Sequence, residues 1–179
     1  MEIITAFLLL VAVVVSLVIG LRSLRQTESI QKREARHALL KEIVEWATNV
    51  GGWRSEYRTA IKELLGKKDK RGQQEYLFIH ITEVKEGLMG MVGKGQYISE
   101  VAGAFGDSLK DAVEMLRGVL DGYVGFLNEW QAAIADAMRK GMDDKVENME
   151  SAAEYENKID LYVTAVMKEA AIVVTRDIR

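Results

Sequence analysis

Hydrophobic positions follow different rules in different parts of this chain. From Ile3 to Leu21 runs IITAFLLLVAVVVSLVIGL, 19 residues without a charge. As a helix rising 1.5 Å per residue it extends about 28 Å, close to the hydrocarbon thickness of a bilayer. The pattern predicts a transmembrane anchor over residues 1–21. A signal peptide would need a basic n-region and a small-x-small cleavage site, and a pilin-type N-terminus a basic leader and a processing site. Only Met1 and Glu2 precede the run, so a retained anchor is expected.

Past Leu21 apolar content drops. SLRQTESIQKREARHA, residues 23–38, offers little beyond Leu24 and Ile30 but contains good helix formers and a Glu28/Lys32 pair at i,i+4. Residues 22–38 are therefore expected to form a solvated helical stalk. With no earlier breaker, anchor and stalk should form one rod. Helical spacing of apolar residues returns at Leu40, Ile43, Val44, Ala47 and Val50, and Gly51-Gly52 is expected to end or bend that helix.

A shorter amphipathic helix should follow, carrying Trp53, Tyr57, Ile61, Leu64 and Leu65, and then an exposed loop from Gly66 to Gly72. The next stripe, Tyr76, Leu77, His80, Ile81, Val84 and Leu88, predicts a helix over 73–92 closed by Gly93-Lys94-Gly95. A short helix is expected from Tyr97 to Phe105, with Asp107 or Ser108 capping the next.

The strongest periodicity comes last. Leu109, Val113, Leu116, Leu120, Tyr123, Leu127, Trp130, Ile134 and Met138 predict a helix over 108–140. Val146, Met149, Ala153, Ile159, Tyr162, Val163, Val166, Ala170 and Val173 predict another over 144–175. Gly141 reads as a stop, and Asp144 with Glu147 as a capping-box variant. So short a connection implies an antiparallel hairpin with arms of about 50 Å. Sustained period-two alternation is absent. The expected fold is all-α: a transmembrane helix, a stalk, and an antiparallel helical bundle over 39–179 ending in a long hairpin.

Charge adds an orientation. Arg22, Arg25, Lys32, Arg33 and Arg36 outweigh Glu28 and Glu34 just after the anchor. The basic flank predicts a single-pass protein of the cell membrane with its N-terminus outside and its bulk in the cytoplasm. Arg22 and Arg25 are the expected contacts to lipid headgroups, at about 1 kcal/mol each near an anionic surface. Residues 1–72 hold 13 Lys+Arg against 8 Asp+Glu, whereas 73–179 hold 11 against 19. An acidic remainder argues against a nucleic-acid partner. The chain has no Cys and no Pro, which removes thiolate chemistry and leaves helices free to run long.

Candidate chemistry is thin. Glu34 and His37 have the Glu-x-x-His spacing of di-iron bundles, but no second such pair accompanies them, since His80 and Glu83 stand in reverse order. No metal site is expected. The stretch from Gly90 to Gly95 resembles a phosphate loop only superficially: Leu88 stands where the motif needs Gly, Gly95 where it needs Ser or Thr, and no strand precedes it. A glycine-closed helix C-terminus accounts for it. Lys67 to Arg71 reads as a solvated charge run, open to lipid or a partner. No catalytic residue or cofactor site is assigned.

Small residues supply the remaining candidates. Ala12, Ser16 and Gly20 form a small-xxx-small ridge that would let two anchors approach closely. Gly118, Gly122 and Gly125 interrupt the most periodic helix, each costing up to about 1 kcal/mol relative to Ala. Close packing against a neighbour, in the same chain or another, would offset that cost.

The stretch from Arg22 to Glu34 and that from Leu39 to Ala47, set directly after an N-terminal span, resemble small uncharacterised prokaryotic single-pass membrane proteins. The likeness covers about the first 50 residues. It implies an anchored helical protein of prokaryotic origin and brings no activity or site residue with it. The expected function is a non-enzymatic, membrane-tethered helical interaction or scaffold module with a protein partner or a second copy. The alternatives are a signalling bundle that transmits a conformational change and a membrane-bound enzyme with a carboxylate site.

Overall fold

The computed structural model describes the backbone of residues 2–65, 70–141 and 149–178, and the side chains of Ser16, Ile19, Gly20 and residues 22–53, 72–141 and 152–176. Among these residues every regular element is an α-helix. They are α1 (Glu2–Leu65), α2 (Lys70–Gly103), α3 (Asp107–Lys140) and α4 (Met149–Ile178). The chain divides into two units, Met1–Leu40 and Lys41–Arg179.

Within the first unit, the side chains of residues 22–38 are exposed on every side of the helix, including Leu24 at 68% and Ile30 at 49%. A helix with no buried stripe is held by local terms: intrinsic propensity and pairs such as Glu28–Lys32 at 3.0 Å. The expected anchor lies almost wholly outside the described side chains. Among the described residues no helix is long and apolar enough to cross a membrane.

The second unit is a helical bundle. Its buried positions alternate three and four apart: Ile43, Ala47 and Val50 on α1; Gln74, Leu77, Ile81, Val84 and Leu88, then Gly95, Ile98 and Ala102 on α2. On α3 they are Leu109, Val113, Leu116, Leu120, Tyr123, Leu127, Trp130, Ile134 and Ala137, and on α4 Ala152, Glu156 and Ile159, then, seven residues on, Val166, Ala170 and Val173. A 3.5-residue repeat keeps one seam of each helix turned inward along its length, as in coiled coils. Each fully buried Leu or Ile on these seams contributes roughly 1.5–3 kcal/mol.

The breaks differ from those expected. α1 runs through Gly51 and Gly52, so the helix expected from Trp53 is the continuation of α1. α2 begins at Lys70, inside the expected loop, and runs through Gly93-Lys94-Gly95, absorbing the short helix placed after them. An internal glycine costs a helix only about 1 kcal/mol, and in α2 the buried seam continues on both sides of Gly93, from Leu88 to Ile98 and Ala102.

The described turns lie close to two others expected from the sequence, before Asp107 and at Gly141. After α2 the chain turns through Ala104 and Phe105, whose amides donate to the Val101 and Ala102 carbonyls at 3.1 and 2.9 Å. Gly106, with φ 128° and ψ 162°, is the N-cap of α3 in place of Asp107 or Ser108, and no side chain caps that end. Asp107 sits instead in the first turn, where its charge favours the helix dipole. α3 ends as expected: Gly141 is left-handed at φ 64° and its amide reaches the Ala137 and Met138 carbonyls. Asp144 and Glu147 lie outside the described residues.

Candidate functional site

Each seam between helices of the bundle is built differently. Between α1 and α2 the seam rests on tryptophan against glycine. Trp46 is 2% exposed, and its indole Nε1 donates to the Met91 carbonyl at 3.1 Å. A Cβ at Gly95 would stand 2.8 Å from Trp46 Cζ2, and one at Gly87 3.0 Å from Trp53 Nε1. These glycines admit indole rings against the helix backbone. On α1, Gly51 faces α4, where a Cβ would meet Val163 at 3.7 Å, an ordinary contact distance.

Between α2 and α3 the seam is polar at its edges. Ser99, 6% exposed, donates to Glu114 at 3.0 Å, and Lys110 approaches Glu114 at 3.7 Å. The Lys110 stem lies over Gly103 and the Arg117 stem over Gly95: a Cβ added at each glycine would stand 3.6 Å from Lys110 Cδ and 3.3 Å from Arg117 Cγ, respectively. The aliphatic stems of two cations thus pack over glycine positions of α2. With Gln96 and Glu100 these groups line a groove of about 430 Å³. Towards the other end of the same seam, Lys85 donates to Gln131 at 2.9 Å and the Gln131 amide donates to Thr82 at 2.6 Å. Thr82 in turn donates to the Phe78 carbonyl at 3.1 Å.

The α3–α4 seam is aromatic. Tyr155 stacks on Tyr123 with ring centroids 5.2 Å apart and 11° between planes, and meets Phe126 at 5.5 Å; Phe126 leans on Trp130 at 5.7 Å. Glu156, beside Tyr155, is 7% exposed and occupies a seam position. On the outer side of α4, Lys158 and Glu154 pair at 2.7 Å. Hydrogen bonding to Lys158, reinforced by its charge, holds the Glu154 carboxyl below its ordinary range, and the same contact raises the Lys158 ammonium.

The residues singled out from sequence are distributed as follows. Arg22 and Arg25 are exposed. Ser16 and Gly20 are exposed and Gly20 has no atom within 4 Å of its Cβ position, while the side chain of Ala12 is outside the described residues. Of the α3 glycines, Gly122 faces the Tyr155 ring at 3.4 Å, whereas Gly118 and Gly125 face open space. Among these three, close approach to a described residue is therefore seen at Gly122. Gly90 to Gly95 lies inside α2 and does not close it. Glu34 and His37 are exposed on α1. His80 contacts Glu83 at 3.2 Å and stacks on Tyr76 at 5.8 Å. Among the described residues no group of three or more His, Cys, Asp or Glu is placed to hold a metal ion.

The contact roles of Trp46, Gly95, Ser99 and Gln131 are invisible in the hydrophobic pattern, because each depends on a residue 15 or more positions away. No known family model, curated protein or solved structure matches the chain.

Proposed function

We propose that the chain is a membrane-tethered helical interaction module: residues 1–21 anchor it, 22–38 hold the bundle off the bilayer, and 39–179 present helix faces to a protein partner or a second copy. The observation that carries this reading is the stalk. Seventeen consecutive residues, 22–38, form helix with every side chain exposed, directly after a 19-residue uncharged apolar run. A polar-all-round helix between an apolar run and a packed bundle is what a spacer requires.

The excess of Arg and Lys on that flank supports a cytoplasmic bundle and an external N-terminus, with Arg22 and Arg25 at the headgroups. Ala12, Ser16 and Gly20 offer a face for pairing anchors in lipid. Gly118 and Gly125, which no described residue covers, fit a helix face that another chain could approach closely. The described bundle seams are mostly apolar and aromatic, with Gln74, Ser99 and Glu156 as buried polar members, and the reading assigns no catalytic role.

Purification from gently solubilised native membranes, followed by mass spectrometry, tests the proposal. A stoichiometric partner or a homo-oligomer is expected. A monomer that retains no partner would contradict it.

A further inference from the structure

We draw no further inference here: the strongest candidate, the groove of about 430 Å³ between the end of α2 and the start of α3, is lined by Glu100 and Glu114 against Lys110 and Arg117, and the packing of those two cations over Gly103 and Gly95 with the Ser99–Glu114 hydrogen bond already accounts for it, leaving nothing that points to a ligand.

Discussion

Replacing Gly95 with Ala sets two effects against each other. Away from any contact, Ala in place of an internal helical Gly stabilises by about 0.5–1 kcal/mol. At Gly95 the added methyl would stand 2.8 Å from Trp46 Cζ2 and 3.3 Å from Arg117 Cγ. Arg117 can swing aside. Trp46 cannot do so cheaply: it is a rigid ring, 2% exposed, tied through Nε1 to the Met91 carbonyl. Overpacking of this kind costs about 1–3 kcal/mol, and a lost hydrogen bond adds about 1 kcal/mol. The expected net effect of Gly95→Ala is a destabilisation of about 1–3.5 kcal/mol, or a fall in Tm of roughly 3–12 °C for a domain of this size.

Gly90→Ala, in the same helix, is the internal control. No atom lies within 4 Å of its Cβ position, so this variant should be up to about 1 kcal/mol more stable. Thermal and urea melts of the full chain in mild detergent, followed by far-UV circular dichroism and by tryptophan emission, measure both. If Gly95→Ala stabilises as Gly90→Ala does, the tryptophan-on-glycine seam is refuted. If both variants lengthen the helix measurably, α2 is broken at these glycines after all.

Thr82→Val should cost about 1 kcal/mol in a urea titration, because the Gln131 amide loses its acceptor in a half-buried seam; adding Gln131→Leu should recover most of the loss, and a more severe double variant would contradict this hydrogen-bonded relay. Glu154 should titrate below an ordinary glutamate by NMR and return toward the usual range in Lys158→Met. Because its folded pKa is depressed, its contribution is present above the unfolded value and lost as pH falls through the folded one; Lys158, shifted up, contributes below its unfolded value and loses that contribution as pH rises through the folded one. Both groups lie on the surface, so added salt should shrink the shifts, and salt-insensitive shifts would argue against a surface pair. With no native Cys, Leu161→Cys places a single thiol where the side chain is 63% exposed; a membrane-impermeant maleimide should label it only after cells are opened, and labelling of intact cells would reverse the orientation.

The sequence is most readable where burial and periodicity coincide. α3 carries its seam from Leu109 to Ile134 with Tyr123 and Trp130 as the only polar-tipped members, and its expected start and end lie within a residue of those observed. Weighing glycine as a breaker cuts α2 too early, although Leu88, Gly95 and Ala102 stand seven apart and continue one seam. The reason for Gly95 is Trp46, and nothing near Gly95 in sequence announces it. On α4 the seam passes through Ala152 and Glu156, not Ala153, which is exposed; a carboxylate at a seam position masks the repeat. Gly118 and Gly125 show the converse limit, since a helix-weakening residue signals that something needs its absence of side chain but not what.

The anchor is the claim on which the rest depends. Washing membranes that contain the full chain with alkaline carbonate tests it most directly. The chain should remain in the membrane pellet, and a variant lacking residues 3–21 should move to the supernatant with its bundle still helical. Release of the full chain by the wash would contradict a membrane-spanning anchor and, with it, the reading of residues 22–38 as a stalk.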